Sequence, residues 1–157
     1  MSFRKNQNQF SVTEIKEEII HWLETNSQWI WDSTGSFKCL VPNEGTVGID
    51  HTVGHDRFSF KGKKVIASRF VLLYHSGREQ APTGTECSHL CGNAHCINRD
   101  HLIFESRQEN MSRIGCRGFV RTEDMKYICL CDHTPKCLKC VQRSYTPEID
   151  FLVLNDV

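Results

Sequence analysis

Hydrophobic and polar positions change their period along this chain, and each change predicts a different element. In Ser11 to Glu24, "SVTEIKEEIIHWLE", the apolar residues Ile15, Ile19, Trp22 and Leu23 recur at helical spacing. Ser11 and Glu14 stand at capping-box spacing before them, which predicts an amphipathic packing helix. From about Trp29 to Tyr74 the pattern becomes short runs rich in β-branched and aromatic residues, "SFKCLVP", "GTVGIDH" and "RFSFKGKKVIASRFVLLYH", separated by glycines. Such runs predict antiparallel strands joined by turns. Lys61 to Lys64, "KGKK", fits a hairpin tip, and Ser68 to Tyr74 reads as a buried strand or a short helix. After a loop over Arg78 to Glu86, "HLIF" is a short strand. Ser106 and Glu109 then form a second capping pattern at the mouth of a helix. Beyond Gly115 the chain is too short and too rich in cysteine to supply a conventional core, and it ends in an apolar run, Ile149 to Leu154.

A chain of 157 residues fits one domain with a modest core, so crosslinks would help it. It has nine cysteines and eight histidines, several of them interleaved at short intervals. That favours thiolate and imidazole ligation of zinc over a disulfide framework. The beginning, "MSFRKNQNQF", has no apolar segment of the kind a secretory signal needs, and no run approaches membrane-spanning length. An intracellular, reduced protein without a membrane partner is the expectation. Net charge is zero, yet Arg57 to Arg78 carries six basic residues and no acid, while acids gather in Glu14 to Glu24 and near the C-terminus. A neutral chain with that distribution can present one basic face.

Cys91, Cys96 and His101 form a C-x4-C-x4-H triplet, one ligand short of a tetrahedral structural zinc site. Cys87 is the nearest supplier of the fourth, Cys39 the distant one that would tie the strands to the cluster, and His95 a further competitor. Spacing does not choose among them. Cys131, His133 and Cys137 make a compact C-x-H-x3-C, with Cys116 upstream to complete four and Cys129 and Cys140 as flanking substitutes. Two structural zinc ions per chain are expected.

His89 and Asn110 are left over. A zinc-braced strand and helix can hold an imidazole and an amide oxygen close together. A neutral imidazole can take a proton from water, and an amide oxygen can hold one Mg²⁺ where charge develops on a leaving oxygen. By residue type alone, an extra zinc ligand and a local hydrogen-bonder are the plainer roles for these two.

The stretch "SHLCGNAHCINRDHLIFESRQEN", Ser88 to Asn110, continued by "SRIGC" to Cys116, resembles the His-Cys box of the His-Cys box homing endonucleases. Outside the box the resemblance extends more weakly, from the N-terminal helix through "GSFKC" and "DRFSF" to Cys137. It implies an α+β fold, a zinc-braced ββα-metal (His-Me finger) unit with an antiparallel DNA-binding β-sheet and little conventional core. His89 then falls on the general base, Asn110 on the sole protein ligand of a catalytic Mg²⁺ for which Mn²⁺ can substitute, and Arg57 on the arginine that contacts the scissile phosphate. Cys39, Cys91, Cys96 and His101 fall on the first zinc, and Cys116, Cys131, His133 and Cys137 on the second. Cys87, Cys129 and Cys140 depart from the family pattern as additional thiols.

The implied activity is a site-specific double-strand break in double-stranded DNA by a homodimer acting on a long near-palindromic site. The expected layout is one domain over 1–157: an N-terminal helix (1–28), a DNA-binding sheet (29–80), the ββα-metal box (86–116), the second zinc site (116–140) and a dimerisation tail (141–157). Lys61, Lys63, Lys64 and Arg69 are candidates for DNA contact, since a two-stranded ribbon can enter the major groove. Nuclear location rests on the resemblance. The chief rival is a non-cleaving, zinc-braced DNA-binding protein on the same scaffold. A protein-interaction module of the RING or ribbon type fits poorly, because its paired C-x2-C knuckles are missing.

Overall fold

The computed structural model describes residues 12–51, 54–116, 118–124 and 127–139. The helix predicted first is α1, Val12–Thr25, with Ile19, Ile20 and Leu23 buried along one stripe. Ser11, half of its predicted capping pattern, lies outside the described residues. The helix ends cleanly because Asn26 donates to the Trp22 carbonyl and the Ser27 hydroxyl to that of Leu23, at 2.9 and 2.6 Å. These bonds add to that of the Asn26 backbone N–H, which donates to the Trp22 carbonyl at 3.1 Å, in closing the last turn.

β1 (Ser27–Trp31) and β2 (Lys38–Pro42) pair antiparallel as an isolated ribbon. The turn between them is built on the Asp32 carboxylate, which accepts from the N–H groups of Thr34, Ser36 and Phe37. A second, three-stranded sheet follows: β3 (Ile49–Asp50), β4 (Arg57–Phe60) and β5 (Lys63–Ile66). The basic "KGKK" is the β4–β5 hairpin tip, with Phe60 opposite Lys63. Its two turn residues, Lys61 (φ 49°) and Gly62 (φ 74°), are both left-handed, the geometry that matches the twist of a two-residue hairpin.

The apolar run after β5 resolves as a helix, α2 (Ala67–His75). Ala67, Ser68, Phe70, Val71 and Leu72 are buried. Phe70 meets Phe58 and Phe60 edge to face, with ring centroids 5.2 and 5.4 Å apart. The main core gathers the α1 stripe, Leu40, Phe58, the α2 face, Ile97 and Leu102. It therefore joins both sheets to the segment that carries the metal-ligand motif.

β6 (Thr85–His89) and β7 (Leu102–Ser106) pair antiparallel, and α3 (Arg107–Ile114) packs on both, giving the ββα order. The predicted cap is present: the Ser106 hydroxyl accepts from the Glu109 N–H at 3.2 Å. Between β6 and β7 a loop runs from Leu90 to a short 3-10 turn, Arg99–His101, capped by the Asn98 side chain. A last small pair, β8 (Phe119–Arg121) and β9 (Tyr127–Cys129), precedes the second cysteine cluster. The chain is thus α+β, three helices and small antiparallel sheets among the described residues, as the sequence predicts. No helix among them is long and apolar enough to cross a membrane. Cys140 and the tail 141–157 lie outside them.

Candidate active site and metal centres

The first metal-ligand group is Cys39, Cys91, Cys96 and His101, all buried, with their ligand atoms within 4.8 Å of one another. β2 carries Cys39, the β6–β7 loop carries Cys91 and Cys96, and the 3-10 turn carries His101. Backbone bonds hold these segments in place: Ile97 donates to Leu40 and Leu90 to His101, each at 2.8 Å. The His101 Nδ1 lies 3.4 Å from Cys96 Sγ and 3.7 Å from Cys39 Sγ. A tetrahedral zinc with bonds of about 2.0–2.3 Å requires ligand-to-ligand edges of about 3.5 Å, so the set fits the ion. Crowding splits the thiols. Hydrogen bonds with Cys39 and Cys91 pull Cys96 down to about 4, while the bonds with Cys39 and Cys96 push Cys91 up. A shared negative charge of this kind favours a bound cation. Cys39 is therefore the fourth member that spacing left open. Cys87 packs against the main core instead, its thiol pushed up to about 11 chiefly by burial. His95 turns to Asp56.

The second group is Cys116, Cys131, His133 and Cys137, again within 4.8 Å. His133 Nδ1 lies 3.3 Å from Cys131 Sγ and 3.7 Å from Cys137 Sγ, which meets the same tetrahedral test. Burial pushes the Cys131 thiol up, yet the Cys137 N–H at 3.3 Å and the His133 ring outweigh it and bring it to about 6. Cys137 is pushed up to about 12, chiefly by burial. α3 supplies the outer support. Ser112 Oγ sits 2.8 Å from His133 Nε2 and donates its own proton to the Glu109 carbonyl, so Nε2–H must be the donor and Nδ1 is left for a metal. Arg113, itself buried, grips Glu105 with two bonds of 2.7 and 2.9 Å, and its third nitrogen donates to the Pro135 carbonyl at 2.8 Å. It also donates toward Cys137 Sγ at 3.5 Å. Cys129 flanks the cluster, its thiol 4.0 Å from the Cys131 carbonyl.

His89 and Asn110 belong to neither group. They line one cleft of about 550 Å³, together with His55, Glu86 and Arg69. His89 closes β6, and its Nε2 is 3.0 Å from the Cys96 carbonyl. A carbonyl only accepts, so Nε2 carries the proton and Nδ1 is a free base. Burial is the main cause that pushes the His89 pKa down, to about 4, and leaves the ring neutral at ordinary pH. The ring of His55 stacks on it with centroids 6.3 Å apart. Asn110, in the first turn of α3, has its Nδ2 2.9 Å from Glu86 Oε2. Its oxygen is the free end, the donor type that a Mg²⁺ ion accepts.

The segment before Arg57 is pinned to the metal loop. The Asp56 side chain, 2% exposed, accepts from His51 Nδ1 at 2.6 Å and from His95 Nδ1 at 3.2 Å. Its carbonyl accepts from Ala67 at the start of α2. Arg57 itself opens β4 opposite Ile66 and does not line the cleft that holds His89. Lys61, Lys63 and Lys64 are exposed around the hairpin, and Arg69 is exposed on α2, a helix rather than a strand, at the cleft's edge.

Sequence reading missed Asp56, Glu86, Ser112 and Arg113, all of which act through other side chains. A Ser and an Arg one turn before Cys116 in "SRIGC" are the sole trace of the last two.

Comparison with family models matches residues 38–148, well over half of the chain, to the zinc-binding loop region of homing endonuclease. Comparisons with curated proteins and with solved structures give no match. The matched span contains every ligand of both clusters and the ββα unit between them. With two Cys3His groups of zinc geometry inside that span, the chain belongs to the homing endonuclease zinc-binding loop family.

Proposed function

We propose that this protein is a site-specific homing endonuclease that hydrolyses DNA phosphodiester bonds, with His89 as general base and Asn110 as the holder of one Mg²⁺. The observation that carries this reading is the cleft. Both zinc groups are complete without His89 or Asn110, and these two line one cavity with a free imidazole nitrogen and a free amide oxygen.

The chemistry follows from those atoms. Nδ1 of His89 accepts a proton from water, whose oxygen bonds to phosphorus as the bond from phosphorus to the 3′ oxygen breaks. The 3′ oxygen takes up a proton from solvent, and His89 returns its own there. Mg²⁺, when bound, supplies positive charge that offsets the charge growing on the leaving oxygen. Arg57, which opens β4 outside the cleft, is the residue we assign to the scissile phosphate on the strength of the family resemblance. Zinc held by Cys39, Cys91, Cys96 and His101 would tie β2 to the β6–β7 loop. Zinc held by Cys116, Cys131, His133 and Cys137 would tie the end of α3 to the segment after β9, a structural role in both cases.

Lys61, Lys63 and Lys64 suit a hairpin laid in the major groove, and Arg69 at the cleft's edge suits the adjacent backbone. One such site cuts one strand, so a double-strand break needs a homodimer. The tail 141–157 is the segment we assign to dimerisation, and the nuclear location we assign rests on the family resemblance alone.

His89→Ala tests the role of the base. Single-turnover cleavage should fall by about 10² to 10⁴ while DNA affinity and two zinc ions per chain are kept. Loss of zinc and of the fold in this variant would make His89 a structural residue.

A further inference from the structure

Asn110 is useful as a metal holder only if its oxygen, and not its nitrogen, faces the cleft. An amide is nearly symmetric in shape, so packing alone selects poorly between the two orientations. Glu86 breaks the tie. Its Oε2 lies 2.9 Å from Asn110 Nδ2, and a carboxylate can only accept hydrogen bonds. The amide end that meets it must therefore be the NH2 group, whichever way the amide is otherwise drawn.

The carboxylate is itself held. Glu86 is the second residue of β6, paired with Glu105 of β7, and its Oε1 takes a bond from Arg107 Nη1 at 3.3 Å. Arg107 opens α3, the helix that carries Asn110. One carboxylate thus spans from the strand to two residues of the first helical turn, with each oxygen committed to one of them. The Arg107 bond is exposed and adds little to stability. Its effect is to fix the direction in which Oε2 points.

We propose that Glu86 is the positioning residue of the cation site, locking the Asn110 amide so that its oxygen faces the His89 cleft. This rests on the proposed role of Asn110. It places on the β6 strand a second determinant of metal affinity, which acts through the Asn110 amide. The arrangement parallels His89, whose free nitrogen is likewise chosen by a bond to the opposite end of the ring.

The test is Mn²⁺ binding, measured by electron paramagnetic resonance on the full chain bound to a duplex selected from a random library in EDTA. Glu86→Leu removes the acceptor. Glu86→Gln keeps the shape but offers the amide either an acceptor or a donor. The expected result is a Mn²⁺ affinity about 10- to 100-fold lower in Glu86→Leu, with a smaller loss in Glu86→Gln. DNA affinity in EDTA and zinc content should match wild type in both. Glu86 is partly exposed, so neither change empties a core position. Unchanged Mn²⁺ affinity in both variants, with loss in Asn110→Ala, would overturn the role of Glu86 alone. Unchanged affinity in Asn110→Ala as well would instead remove Asn110 as the metal holder.

Discussion

A histidine ligand is worth most to a metal when its second nitrogen is tied down, and at His133 that tie is Ser112. Ser112→Ala should lower the affinity of the second zinc about 10- to 100-fold and leave the first unchanged. Competition with a chelator and a colorimetric zinc readout would show one ion per chain leaving early. Simultaneous release of both would contradict the assignment. The triplets Cys91, Cys96, His101 and Cys131, His133, Cys137 were legible, because thiols and imidazoles interleaved at short spacing in a reduced chain serve metal binding more often than any other purpose. The choice of Cys39 as the fourth ligand came from the resemblance. His89 and Asn110 stood out only through resemblance. The bonds that orient them, to the Cys96 carbonyl and to Glu86, were not legible at all. Each depends on which atom of a distant residue a loop brings near, and no local pattern encodes that.

At the scale of elements, β7, α3 and the loop before Cys137 meet in one buried ion pair. Burial alone would raise the Glu105 carboxyl, but its bonds to Arg113 outweigh that and hold it below the ordinary carboxylate range. Glu105→Gln leaves the Arg113 charge buried without its partner and should cost about 3–5 kcal/mol. A carboxyl depressed in the folded state stabilises above its unfolded pKa, and that contribution is lost as pH falls through the folded value. The stability gap between wild type and Glu105→Gln should therefore be full at neutral pH and shrink below about pH 4.3. Denaturant unfolding at several pH values measures it, and a gap that does not change with pH would remove the pair from this role. Helix α1 and the β4–β5 hairpin were legible, since a 3.6-residue period and a Lys-Gly turn between strands are local signals. The run Ser68 to Tyr74 was ambiguous between strand and helix. Short apolar runs carry both periods, and the burial of Phe70 against Phe58 and Phe60 is what selects the helix.

Over the whole molecule, zinc replaces much of what a larger core would provide. The main core stops at Ile97 and Leu102, and beyond it the chain is held by the two metal groups, by the buried Arg113–Glu105 pair and by single bonds such as Leu138 to Leu90. Stripping zinc should abolish cooperative unfolding and near-ultraviolet ellipticity, and adding two equivalents per chain should restore both. Retention of a cooperative transition without zinc would show that the apolar core suffices. The grouping of strands into four separate sheets among the described residues was not legible, because alternation marks a strand but not its partner. The α+β class and the two metal groups were. The measurement that bears most directly on function is cleavage of a supercoiled plasmid library by the purified chain, with Mg²⁺ or with EDTA, beside Asn110→Ala. A DNA endonuclease of the proposed kind yields discrete linear products with Mg²⁺ that EDTA and Asn110→Ala abolish. Tight DNA binding with no cleavage at any Mg²⁺ or Mn²⁺ concentration would contradict it, leaving a zinc-braced DNA-binding protein with an idle cleft.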